Sequence, residues 1–200
     1  MKTLHKSTEL PADPLHLAAH RVHDAAGPGR RSFAVLQAAR TPGLVIWIKP
    51  DHLAESLMPW ALPARLANRL ILLRAGTETD VLWCMEETLR STAPVLVIAE
   101  PQKPMSLTAG RRLQLAAEAG RTTGLLLVRE DGGSNASETR WQCASVADPA
   151  QADSTLQEWS LNKNKKGTLG RWRVCWNDKT HSLRVVSAVA ERSCPADAPL

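Results

Sequence analysis

Short apolar runs alternate along this chain with amphipathic stretches. Leu44-Val45-Ile46-Trp47-Ile48, Arg69-Leu70-Ile71-Leu72-Leu73, Val95-Leu96-Val97-Ile98-Ala99 and Gly124-Leu125-Leu126-Leu127-Val128 are too short for helices and nearly continuous in hydrophobicity. A strand apolar on both faces belongs inside a parallel sheet covered by helices, so all are read as buried strands. Between them lie helical signals. Phe33–Ala39 has good helix formers and stops at Thr41-Pro42-Gly43. His52–Trp60 is predicted helical and ends before Pro63. Thr77–Asp80 offers N-caps; behind it Val81, Leu82, Met85 and Leu89 share a face, with Glu86, Glu87 and Arg90 outside. Ser106 caps Leu107–Ala119, with Gly120 as the expected C′ residue. Leu15–His23 fits either a short helix or the approach to a strand. Strand and helix alternating through short loops predict a three-layer α/β/α domain with a mostly parallel central sheet.

The period changes after residue 130. Asp131–Asn135 reads as a loop. Trp141, Cys143 and Ser145 alternate with Gln142 and Ala144. Trp172, Val174 and Trp176 share one strand face, with Arg171, Arg173 and Cys175 on the other. Asn177-Asp178-Lys179-Thr180 suits a hairpin turn leading to Leu183-Arg184-Val185, so an antiparallel C-terminal extension is expected. The expected division is a flexible lead over 1–14, one domain over 15–187 and a flexible tail over 188–200.

Composition narrows the chemistry. With 200 residues and 44% hydrophobic positions, one domain can bury a core without a disulfide or metal staple. Seven Trp stand against one Phe and no Tyr, which removes every mechanism built on a phenol. The net charge of +5 permits a nucleic-acid or acidic partner without demanding one. Cys84, Cys143, Cys175 and Cys194 show no C-x-x-C spacing, so no zinc site or disulfide framework is suggested; Cys84 and Cys143 are read as small core residues. Lys2 has no apolar run behind it, and no apolar stretch nears the ~20 residues of a membrane span. The expectation is a reduced, cytoplasmic protein with no membrane contact.

The ordered segments resemble one family. His23-Asp24 with Gly27-Pro28-Gly29, Val45-Ile46-Trp47-Ile48, Arg69-Leu70-Ile71-Leu72, Asp80–Arg90, Ser106–Ala116 and Thr122-Thr123-Gly124 resemble ImuA, a family of RecA-like proteins of bacterial damage-induced mutagenesis. The likeness runs from about Leu15 to about Val186, and its most specific segments are Asp80–Arg90 and Ser106–Ala116. The resemblance implies a RecA-type core that does not recombine DNA. It implies work as a scaffold or regulator beside ImuB, a Y-family-like polymerase relative that contacts the sliding clamp, with a DnaE-type error-prone polymerase doing the synthesis. Two other readings of such a core are an ATP- and DNA-binding RecA-like enzyme and an inhibitor of division resembling SulA. Oligomeric state is left open.

A working P-loop needs G-x-x-x-x-G-K-[ST], because backbone N–H groups cradle the phosphates, Lys neutralises them and Ser/Thr holds Mg²⁺. The corresponding turn here is Gly27-Pro28-Gly29-Arg30-Arg31-Ser32-Phe33, which lacks Gly-Lys-Ser/Thr. Pro28 also removes an N–H donor. Gly27, Gly29, Arg30 and Arg31 are therefore a degenerate phosphate turn able at most to attract an anion, and neither ATP nor Mg²⁺ is expected as a cofactor. Asp51 follows a strand where RecA-like enzymes carry a catalytic glutamate, but reads as a solvated loop carboxylate. Glu100, where the fold's Mg²⁺-linked acid lies, reads as facing solvent or capping a neighbour.

Asn162-Lys163-Asn164-Lys165-Lys166-Gly167 is the densest basic run and resembles the Lys-Asn-basic-x-Gly loop of RadA-type relatives. Lys163, Lys165, Lys166, Arg171 and Arg173 are candidate contacts to DNA or a partner. Trp172 and Trp176 read as core rather than as a stacking platform. His16, His20 and His23 would line one face of a helix, but no metal site is assigned to them. No Ser follows a strand in a G-x-S-x-G elbow, and no catalytic residue is assigned.

Overall fold

A computed structural model describes residues 13–59, 62–129, 135–147, 155–177 and 182–189. The lead expected over 1–14 and the tail over 188–200 fall mostly outside them, as do Asp131–Ser134, Asp178–Thr180 and Cys194.

The strands are β1 (Val22–Ala26), β2 (Val45–Pro50), β3 (Leu70–Ala75), β4 (Leu96–Ala99), β5 (Thr123–Leu127), β6 (Thr139–Ser145), β7 (Gln157–Asn164), β8 (Gly170–Asn177) and β9 (Ser182–Val189). The helices are α1 (Arg30–Arg40), α2 (Ala64–Ala67), α3 (Glu78–Arg90) and α4 (Leu107–Gly120). One sheet holds every strand in the order β3-β2-β4-β5-β1-β6-β7-β8-β9. It is parallel from β3 through β6 and antiparallel from β6 to β9. This is the expected α/β architecture with its antiparallel extension.

Two cores lie on opposite faces of the sheet. On the α1 side Phe33, Trp47, Trp141 and Trp159 are buried with Leu96, Leu125 and Val174. Phe33 meets Trp159 edge-on at 4.6 Å, and Trp172 packs on Trp141 at 5.8 Å. The tryptophans on this face are core, as the alternation of β8 indicated. On the other side Val81, Met85 and Leu89 of α3 and Leu113, Ala116 and Ala117 of α4 cover Val97 and Leu126.

Thr77 caps α3 through a capping box with Asp80, and the Ser106 hydroxyl accepts from the Ala109 amide. At the other end of α4 the expected C′ glycine is instead its last helical residue, and Arg121 takes the left-handed conformation at φ 54°. The reason is proximity. A Cβ on Gly120 would lie 1.9 Å from the Leu89 carbonyl oxygen, so the ends of α3 and α4 meet only through glycine.

Of the two forms open to Leu15–His23 the chain takes the approach to a strand, with Leu15 and Leu17 pointing into the core and His16 out before β1. Other expectations need correction. Residues 51–58, expected to be helical, are irregular. Lys49 donates to the carbonyls of Leu53 (2.8 Å) and Glu55, which a helix would use internally. Strand β3 is not buried but an edge strand, with Ile71 and Leu72 each 45% exposed, because among the described strands only β2 pairs with it. Glu86 lies inside rather than outside, 7% exposed, held by Arg90 at 2.9 Å and Arg112 at 2.7 Å. Strand β7 was not anticipated, although Trp159 and Leu161 alternating with Glu158 and Ser160 carried its signal.

Candidate functional site

The RecA-type phosphate position lies where β1 passes into α1. Gly27 has φ 87°, and Gly29 ends the turn immediately before Arg30. The connection lies directly on β6. The Gly29 amide donates to the Cys143 carbonyl at 2.9 Å. A Cβ on Gly27 would lie 2.4 Å from that same oxygen, and one on Gly29 would lie 3.0 Å from the Ala144 nitrogen. Both glycines thus serve close packing against a neighbouring strand. Arg30 folds back, its guanidinium donating to the Gly27 carbonyl at 3.0 Å.

Arg31, in the first turn of α1, reaches across to the end of β4. Its Nη2 and Nε donate to Glu100 Oε2 at 2.7 and 2.9 Å, and its Nη1 lies 3.0 Å from Glu55 Oε2. Trp47 Nε1 donates to the other Glu100 oxygen at 2.7 Å. Glu100 is 3% exposed, which overturns the solvent-facing reading: its carboxylate is buried and engaged at both oxygens. Burial works against the Arg31 charge, but hydrogen bonding and attraction from Glu100, then from Glu55, outweigh it and raise its pKa above the usual value. The space bounded by Arg31, Trp47, Lys49, Glu55 and Glu100 is about 10 Å³, room for about one water. Asp51 is exposed and accepts from Arg74 Nε at 2.8 Å.

Trp47, Lys49 and Glu55 were not singled out from sequence. Trp47 was visible only as a strand residue, and nothing local announces that an indole N–H will meet a carboxylate fifty-three positions away.

The basic residues split into two groups. Lys163 and Lys165 each reach a backbone carbonyl near the surface, Lys163 donating to that of Asn135 at 2.7 Å and Lys165 to that of Ala136. Lys166 is exposed on the turn after β7. Arg171 and Arg173 project from β8, 3.6 and 3.5 Å from Glu158.

The histidines do not gather. His16 is exposed, His20 sits in a turn at φ 61°, and His23 is buried in β1 between Thr139 Oγ1 at 2.7 Å and the Ala18 carbonyl at 3.0 Å. Among the described residues no cluster of three His, Cys, Asp or Glu could hold a metal ion. Cys143 is buried, which pushes its thiol pKa up, whereas Cys84 is only half-buried on α3. No described helix is long and apolar enough to cross a membrane.

Sheet order, two-sided core and a glycine turn entering α1 define a RecA-like α/β protein whose phosphate turn is packed onto its own sheet. No family model matches the chain. Protein ImuA from two strains of Caulobacter vibrioides is 31% identical to it over 178 positions, covering 78% of this chain and 71% of that protein. The chain belongs to the ImuA family.

Proposed function

We propose that this chain is a non-catalytic accessory scaffold of a damage-induced translesion DNA synthesis complex, acting with ImuB and a DnaE-type error-prone polymerase. Family membership supports the mutagenesis setting. The observation that carries the non-catalytic part is the Arg31–Glu100 pair. In a RecA-like ATPase the first turn of α1 supplies the Lys and Ser/Thr that hold phosphate and Mg²⁺, and an acid at the end of the strand corresponding to β4 serves the same metal. Here those positions neutralise each other at 2.7 Å, in a space of about 10 Å³. Pro28 lacks one N–H of the cradle, and the Gly29 N–H is already spent on Cys143. These residues do not fit Mg-ATP.

Recovery of ImuB and the polymerase with the tagged full chain after DNA damage is the expected result; recovery of neither removes the scaffold reading. Equilibrium dialysis with radiolabelled Mg-ATP separates the rival enzyme. Micromolar binding abolished by Arg30→Ala would favour an ATP-dependent RecA-like protein. Filamentation on overexpression, without any change in mutation frequency, would favour a division inhibitor.

A further inference from the structure

The antiparallel extension has one face in the tryptophan core and another that, among the described residues, joins no core. Helices α3 and α4 cover β2, β4, β5 and β1, and the apolar cluster beneath them includes no side chain from β6–β9. On this open face the strand registers align polar residues in rows. Asp24, Arg140 and Lys163 are partners across β1, β6 and β7. Gln142, Ser160 and Arg171 form the next row, and Ala144, Glu158 and Arg173 the one after. The bulge between Arg140 and Trp141 brings Lys163 onto the same face as Arg140.

Charge on this face is unbalanced. Asp24 is fully buried and held by Ser137 and Arg140, so it offers nothing to solvent. Glu158 alone stands between Arg171 and Arg173, at 3.6 and 3.5 Å, beyond good hydrogen-bond distance to either. Arg171 and Arg173 remain about half exposed, with side chains 51% and 47% accessible. Burial, then the like charges of Lys165 and Arg140, lower the pKa of Lys163 against the weaker pull of Asp24 and Glu138. An anion laid along the rows would relieve that repulsion. The cations follow a diagonal from Arg140 and Lys163 through Arg171 to Arg173. Neighbouring strands lie about 4.8 Å apart and alternate residues about 6.8 Å apart, intervals that suit successive phosphates of one extended strand. No described helix projects from the face to enter a duplex groove.

We infer that the open face of β6–β8, carrying Arg140, Lys163, Arg171 and Arg173, binds the phosphate backbone of single-stranded DNA. This deepens the accessory reading by giving the scaffold a direct hold on the template. Recovery of ImuB does not depend on it, so the two can fail separately. The contact is to phosphate, because the neighbouring indoles face the opposite core, and it carries no base preference.

Fluorescence anisotropy with a fluorescein-labelled oligo(dT) and the full chain tests it. Binding is expected at low salt and weakens with salt. Arg171→Glu with Arg173→Glu should weaken it at least about tenfold and reduce the salt slope by about 1.4, because about two single-strand phosphates then go without a cation. Glu158→Gln, which removes the acid between the arginines, should tighten it about two- to threefold. That gain cannot come from misfolding. Absent binding, indifference to both variants, or equal or tighter binding to the matching duplex overturns the assignment. So does capture of poly-glutamate in preference to the oligonucleotide, which would make the face a site for an acidic protein.

Discussion

Arg31 and Glu100, 69 positions apart in the chain, meet at 2.7 Å at the point where a RecA-like protein would hold phosphate and metal. The pair is asymmetric: the Glu100 side chain is 4% exposed and that of Arg31 30%. Removing Arg31 therefore leaves a buried carboxylate with Trp47 as its remaining hydrogen-bond donor. Arg31→Ala should lower stability by about 2–3 kcal/mol, at or below the low end for breaking a buried pair because Arg31 keeps some water. Adding Glu100→Gln should recover part of the loss, since no charge then stays buried. Urea denaturation of the two singles and the double measures the coupling; strictly additive effects would mean the pair does not act as a unit.

The ends of α3 and α4 give a prediction whose sign runs against helix propensity. Propensity alone makes Gly120→Ala stabilising by about 1 kcal/mol. The 1.9 Å approach of a Cβ to the Leu89 carbonyl makes it destabilising, by roughly 1–3 kcal/mol. A lowered thermal midpoint is expected, and a raised one would contradict the packing.

The tryptophans should divide by environment. Trp159 is fully buried against Phe33, so Trp159→Ala should cost about 3–5 kcal/mol. Trp83 on α3 is 60% exposed, and Trp83→Ala should fall within about 0.5 kcal/mol of the parent. Chemical denaturation of both variants checks the contrast.

His23 makes stability depend on pH. Burial is the main cause that lowers its pKa from 6.5 to about 4. The unfolded chain therefore binds a proton below 6.5 that the folded chain refuses until about 4. The contribution is complete above the unfolded value and is lost as pH falls through the window, about 3 kcal/mol in all. Asp24 acts in the opposite sense: burial, the largest cause, raises its pKa, so its contribution is lost as pH rises. His23→Gln separates them. Urea midpoints at pH 7.5, 6 and 5 should fall less steeply in that variant than in the parent.

Much of the fold was legible because its signals are local. Continuous apolarity marked β2, β4 and β5; capping residues marked α3 and α4; alternation placed Trp172, Val174 and Trp176 on one face. Apolarity failed for β3, because a run of Leu and Ile reads the same at an edge as at the centre. Helix propensity failed over residues 51–58, because Lys49 takes carbonyls that a helix would need.

For the site, the chain by itself determined what is missing: no Gly-Lys-Ser/Thr, a proline in the cradle, and arginines in place of the lysine. Those are statements of residue type at fixed spacing, and they hold whatever the fold does. What occupies the position instead was decided only in three dimensions. Glu100 faces inward because parallel pairing of β4 between β2 and β5 puts its carboxylate between Trp47 and Arg31. The five basic candidates looked equivalent along the chain. The register of β6, β7 and β8 put Lys163, Arg171 and Arg173 on one open face, while Lys165, in the turn after β7, reaches the Ala136 carbonyl. A charge's partner is set by distance, and distances across a sheet are not written in the order of residues.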